Sequence, residues 1–171
     1  MIWIPVALIA LVAILLLVGL ALPEDFAYEV EREIAVPPAA VWAALHDPSS
    51  HPLGGRQCRG VSLLAEPGGS FAWREDLGAS RVDYRVVESS EPRRLSFEAK
   101  DDVVPMSFRA DLELEPTAAG TRVRVRVKGA IRRGTFHVPF FRLAIHLGAA
   151  RKGLDDWLGR VGEDSQSAGA R

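Results

Sequence analysis

Residues 106–131 read MSFRADLELEPTAAGTRVRVRVKGAI, and their alternation decides the fold. Phe108, Ala110, Leu112 and Leu114 share one parity, while Arg109, Asp111, Glu113 and Glu115 share the other. That is the period of a strand with one buried face. After the turn TAAG the pattern resumes, with Val123, Val125 and Val127 apolar and Arg122, Arg124 and Arg126 basic. A hairpin pairing Glu115 with Arg122 sets Glu113 against Arg124 and Asp111 against Arg126, favourable cross-strand charge pairs. Six basic residues and no acid lie between 122 and 133. With such partners available, the stripe is expected to be a solvated sheet face rather than a phospholipid-headgroup or nucleic-acid site.

The same reading extends outward. Residues 26–36 (FAYEVEREIAV) set Tyr28, Val30, Ile34 and Val36 against Glu29, Glu31 and Glu33, which predicts a half-exposed first strand. Pro37 and Pro38 suit a helix start, Val41, Trp42 and Leu45 follow at helical spacing, and Pro48 ends the segment. From Gln57 onward come the short runs QCRGVSLLA, SFAWREDL, RVDYRVVES and RLSFEAK, separated by EPGG, GAS and EPRR. They predict an antiparallel meander. Phe140, Leu143, Leu147, Ala150, Leu154, Trp157 and Val161 then recur at steps of three and four, the stripe of one long helix. Gly148, Gly153 and Gly159 interrupt it, each costing about 1 kcal/mol relative to Ala. They are either tolerated surface positions or clearance for a ligand or a close strand. Residues 164–171 lack apolar periodicity and are expected to be disordered.

The chain has 171 residues, 48% hydrophobic and 25% charged, which excludes a disordered polyelectrolyte. Twenty-one basic against 22 acidic side chains offer no field for a dedicated nucleic-acid binder. Residues 1–22 (MIWIPVALIALVAILLLVGLAL) carry no charge, and at about 1.5 Å per residue they match a hydrocarbon core of about 30 Å. They are expected to be a single-pass anchor, residues 1–23. The rival is a signal peptide cut before Leu22 after the small pair Gly19 and Ala21. Arg32 on the carboxyl flank, with no basic residue on the amino flank, points to a cytoplasmic domain. The single cysteine, Cys58, is expected to be a small buried strand residue. His46, His51, His137 and His146 lack metal-ligand spacing, so no metal site is expected. No GxSxG, P-loop, HExxH or GxGxxG motif is present.

EIAVPPAAVWAALHDP, EPRRLSF, LELEPTAAGTRV and GLDDWLGRV together resemble the polyketide cyclase/dehydrase and lipid-transport family of the START-related SRPBCC superfamily. The resemblance covers residues 26–163 and implies an α+β helix-grip fold. In that fold a seven-stranded antiparallel sheet curls around a long C-terminal helix and encloses an apolar cavity, and here an N-terminal transmembrane helix precedes it. It also implies that the first strand lies beside the last, putting Glu29, Glu31 and Glu33 on the second side of the arginine stripe. Many members carry Pro-x-x-Trp after the first helix, whereas this chain reads SSHPLGGRQCRG, so a differently shaped entrance is expected. The family implies no shared catalytic set, and none is carried over.

If parity holds, the inward set includes Tyr28, Phe71, Trp73, Val82, Tyr84, Val86, Leu95, Phe97, Phe108 and Leu112, with Leu147, Leu154 and Trp157 from the helix. Among these, Tyr28, Phe71, Trp73, Tyr84, Phe97, Phe108, Leu147 and Trp157 are the candidate ligand-binding residues. Arg32 and Glu75 fall in register with apolar positions, as rim charges or as polar anchors in the cavity. The function expected is membrane-anchored binding of a hydrophobic small molecule, such as a lipid, quinone or polyketide-like compound, without a cofactor. One alternative is a cyclase or dehydratase using the same cavity, which a buried Glu75 or His146 beside polar groups would favour. Another is an interaction module with a filled core.

Overall fold

A computed structural model describes residues 3–65, 70–134 and 136–169. The turn expected at 66–69 and the last two residues of the expected tail lie outside them. The strands are β1 (Asp25–Ile34), β2 (Gly60–Leu63), β3 (Ala72–Asp76), β4 (Arg81–Ser90), β5 (Arg94–Asp101), β6 (Met106–Thr117) and β7 (Gly120–Ile131). The helices are α1 (Trp3–Ala21), α2 (Pro38–Leu45), α3 (Val138–His146) and α4 (Ala149–Gly169). All seven strands form one antiparallel sheet in the order β1-β7-β6-β5-β4-β3-β2.

The expected hairpin register is the one observed. Glu115 pairs Arg122, Glu113 pairs Arg124 and Asp111 pairs Arg126 across β6 and β7. On the other side of β7, Glu29, Glu31 and Glu33 pair Arg126, Arg124 and Arg122. Arg124 donates from Nε and Nη2 to Glu31 Oε2 at 3.1 and 3.0 Å, and Arg126 Nε donates to Glu29 at 3.1 Å. The arginine stripe is thus a charge ladder between two acidic strands. The other parity builds the core, where Leu112, Leu114, Val123 and Val125 meet Leu158 and Val161 of α4.

Two helices replace the single long one that the stripe predicts. Gly148 has φ +89°, a conformation that side-chain-bearing residues rarely adopt. It ends α3 and lets α4 start on a new axis, which leaves Leu147, the C-cap of α3, 78% exposed. The inward placement of Leu147 is therefore wrong. In α4, Leu154, Trp157, Leu158 and Val161 are buried, and the helix continues to Gly169 through most of the segment expected to be disordered. Gly153 faces open space, whereas a Cβ on Gly159 would meet the Arg32 guanidinium at 3.2 Å and one on Gly162 would meet Ile34. Close strand approach explains Gly159; surface tolerance explains Gly153.

Cys58 is also corrected. It lies just after a 3₁₀ turn at Gly55–Gln57, half-buried, with Sγ donating to the Gly60 carbonyl at 3.3 Å, and not inside a strand.

α1 is apolar and long enough to cross a bilayer, criteria that a signal sequence also meets. Most of it is exposed, but Gly19 is buried. A Cβ there would overlap the Pro139 carbonyl of α3, so the missing side chain lets the end of α1 lie directly on α3.

Candidate functional site

Pairing carries the inward parity across the sheet. Phe26, Gly129, Phe108, Ala99, Tyr84 and Trp73 form one row over six strands. Tyr28, Val127, Ala110, Phe97 and Val86 form the next. Small residues at 99, 110 and 129 thus alternate with rings, and the rings converge. Trp73 stacks on Tyr84 with centroids 4.8 Å apart. Phe97 sets its edge against both, at 5.8 and 5.9 Å. Phe108 extends the cluster from Tyr84 and Phe97 at 6.4 Å. At the other end Phe71, His46 and Trp42 carry the chain of rings to α2. Tyr28 and Phe26 stack on β1 at 6.1 Å.

Trp73, Tyr84, Phe97 and Trp157 are buried, while Phe26, Tyr28, Phe71 and Phe108 are half-buried at the margin of the same core. The structure therefore brings together Phe71, Trp73, Tyr84, Phe97 and Phe108, with Tyr28 close by on β1. Trp157 approaches from α4 and donates Nε1 to the His51 carbonyl at 2.9 Å, so its polar atom serves a loop. Leu147 is excluded. Phe26, Trp42 and His46 join the rings without having been singled out as site residues. The cue available for Phe26 was its shared parity with Tyr28.

Both tyrosines sit where ionisation is disfavoured. Burial pushes the Tyr28 phenol up to about 12. Burial, with the nearby Glu75 carboxylate adding to it, pushes Tyr84 well above its ordinary value. Among the described residues the buried side-chain polar atoms that lack a hydrogen-bond partner are His51 Nδ1 and Ser96 Oγ, and neither tyrosine hydroxyl is one of them. The pair presents two neutral O–H groups on an otherwise apolar wall.

Arg32 and Glu75 diverge. Arg32 Nη1 donates to the Asp155 backbone carbonyl at 3.0 Å and lies 3.3 Å from its carboxylate, fastening β1 to α4 at a partly exposed edge. Glu75 is fully buried. Its Oε1 accepts from the Leu53 amide at 2.9 Å and Trp73 Nε1 at 3.2 Å, and its Oε2 accepts from the Gly54 amide at 2.8 Å. A charge within a strand thus holds the loop SSHPLGGRQCRG against β3, and the rim reading of Glu75 is overturned. His146 is exposed, with Nδ1 2.9 Å from the Arg142 carbonyl. Among the described residues no group of histidine, cysteine and acidic side chains is arranged to hold a metal.

A cleft of about 950 Å³ crosses the sheet. Most of its lining residues, including Asp83, Arg85, Glu98, Lys100, Arg109 and Lys128, occupy outward register positions. Phe26, Tyr84, Ala99, Phe108 and Gly129 of the inner row line it as well, so charged outward positions and the ring-bearing row both border this cleft.

The family model described as polyketide cyclase / dehydrase and lipid transport matches residues 25–160. The chain belongs to this family. Solved structures agree on the fold. The Zhui aromatase/cyclase from Streptomyces sp. R1128 is 14% identical with a TM-score of 0.66, covering 83% of this chain and 94% of its own. A Thermus thermophilus protein is 18% identical at TM-score 0.66, covering 84% and 99%. The di-domain aromatase/cyclase StfQ of steffimycin biosynthesis is 12% identical at TM-score 0.60, covering 88% of this chain and 53% of that one. No curated protein matches the chain. As a polyketide cyclase/dehydrase and lipid-transport family member, the chain carries the helix-grip sheet with its aromatic inner wall, and this member adds an apolar N-terminal helix.

Proposed function

We propose that the protein is a membrane-anchored carrier that binds a hydrophobic small molecule, a lipid, quinone or polyketide-like compound, against the rings of its inner sheet face. The observation that carries this reading is the pair Tyr28 and Tyr84. Each sets its hydroxyl among rings, and burial disfavours its ionisation. A tyrosine hydroxyl on such a wall can donate to the acceptor on an otherwise apolar ligand and so orient it. Half-buried Phe26, Tyr28 and Phe108 offer the margin through which such a ligand reaches Trp73, Phe97 and Tyr84.

Residues 1–23 serve as the anchor and the domain from residue 24 faces the cytoplasm. The burial of Gly19 against Pro139 supports retention of the helix, because a cleaved signal has no reason to pack on its domain. Cyclase or dehydratase chemistry requires an acid or base turned toward substrate. The only fully buried carboxylate among the described residues, Glu75, spends both oxygens on Leu53, Gly54 and Trp73, which favours binding over catalysis.

The test is titration of the full-length protein in detergent with a fluorescent long-chain alcohol, reading energy transfer from tryptophan. Saturable binding that weakens several-fold in Tyr84→Phe, with the melting temperature held, is expected. Signal that never saturates, or that is identical in Tyr84→Phe and in Ala99→Leu, which narrows the inner wall, contradicts the proposal.

A further inference from the structure

Outside α1, six large apolar side chains among the described residues are exposed, and three of them belong to α3 and its ends: Phe136 at 81%, Phe141 at 44% and Leu147 at 78%; Val103, Leu63 and Val87 are the others. At about 100° per residue, Phe136, Phe140, Leu143 and Leu147 share one face of α3 and its leading turn, while Phe141 lies about 100° around the helix from Phe140. The opposite face buries Val138 and turns Ile145 inward, and both pack with Val104, Ile131, Phe26 and Met106. Between these faces Pro139 receives Gly19 of α1. The apolar surface of α1 therefore continues onto α3.

Basic groups border this surface. The Arg132 and Arg133 side chains are 72% and 89% exposed, and both approach Glu24, at 3.6 and 3.5 Å. The same carboxylate accepts from buried Arg142 at 3.0 Å. Three guanidiniums share one carboxylate, which leaves positive charge at the root of α1. Arg151 and Lys152 add exposed positive charge in the first turn of α4.

An apolar helix face rimmed by arginine fits the headgroup–acyl boundary of a bilayer, where rings and aliphatic chains sit below the phosphates and guanidiniums meet them. We infer that the Phe136–Leu147 face of α3 is a lipid-contacting surface, seated in the bilayer that α1 enters, with Arg132 and Arg133 directed to anionic lipid phosphates. This inference rests on α1 being a retained span, as proposed above. It also assigns the exposed Leu147 a place: lipid contact instead of ligand contact. The other side of α3 covers Phe26, so the seated helix forms the wall between the bilayer and the aromatic interior, which identifies the membrane as the source of the ligand.

The experiment uses full-length protein in nanodiscs of phosphatidylcholine and phosphatidylglycerol, on a Cys58→Ser background. Nitroxide labels go on Leu11→Cys in α1, Phe136→Cys and Leu147→Cys at the two ends of α3, and Val87→Cys in β4. Collision with oxygen, which partitions into lipid, is compared with collision with a water-soluble nickel chelate. The oxygen-to-nickel ratio at 136 and 147 is expected to exceed that at 87 several-fold and to approach that at 11. It is expected to fall at both α3 positions in Arg132→Gln/Arg133→Gln. A high ratio at 11 with 136 and 147 matching 87 overturns the α3 surface while leaving the anchor intact. A low ratio at 11 overturns the anchor and the inference together.

Discussion

Tyr28 and Tyr84 are the protein's two tyrosines, so a phenol titration reports on the proposed site alone. A tyrosine in the unfolded chain ionises near pH 10, while burial holds Tyr28 up to about 12 and Tyr84 well above its ordinary value. The folded state therefore keeps protons that the unfolded chain releases. Stability is fully present below about pH 10 and is lost as pH rises toward 12. Absorbance at 295 nm should show no phenolate in the folded protein at pH 10.5 and a rise that coincides with loss of tertiary circular dichroism. Ionisation of both phenols near pH 10 with the fold intact would place them in water. Glu75 gives a second test at this scale. Glu75→Gln keeps the shape but turns one acceptor toward an N–H donor, which should cost roughly 1–3 kcal/mol in denaturant melts; an unchanged midpoint would show that the loop at Leu53 and Gly54 is held by other contacts. Parity placed Glu75 and Arg32 on the inner side. What each touches depends on a loop and a helix distant in sequence, Leu53 and Gly54 for one and Asp155 for the other, and no local pattern encodes that.

At the scale of elements, the arginine ladder on β7 is held on both sides by β1 and β6, and its side chains are largely solvated. Arg124→Gln should accordingly leave the melting temperature nearly unchanged at moderate salt, a result differential scanning calorimetry will show; a large drop would mean that the ladder is coupled to the core. α4 behaves differently. Trp157 is buried, packs into the core and caps the His51 carbonyl, so Trp157→Ala should cost about 3–5 kcal/mol, and a loss below about 1 kcal/mol would show the helix to be loosely seated. Strand registers were legible because charge and apolar parity both constrain them: sliding β6 by one residue against β7 would bury Glu113 and expose Leu112. The break at Gly148 was not, since the three-and-four spacing runs on through Leu147 as though one helix continued. Periodicity reports a face, whereas a single positive φ redirects the axis. The reach of α4 to Gly169 went unread for the opposite reason, because its last turns carry little apolar residue to mark a buried side.

Over the whole molecule, an apolar helix, a surface helix and a ring-lined sheet lie in sequence from α1 to the core. α1 rests on Pro139 of α3, α3 rests on Phe26 and Met106, and Phe26 leads to the rows containing Tyr28, Phe108 and Tyr84. Sequence patterning disclosed the first and last of these layers, which are long and periodic. The middle layer was hidden because α3 and α4 read as one stripe, and because the basic residues Arg132 and Arg133 adjoin α1 only in the folded chain. Membrane anchoring and apolar binding are thereby joined in one claim: the protein takes a hydrophobic molecule from the bilayer into its aromatic interior. Mass spectrometry of molecules extracted from the full-length protein, purified in a detergent absent from the expression host, tests that claim most directly. A defined set of apolar compounds at near-stoichiometric ratio is predicted, strongly reduced in Ala99→Leu while bulk annular phospholipid is unchanged. Identical extracts from the two proteins, containing annular phospholipid and nothing else, would contradict it.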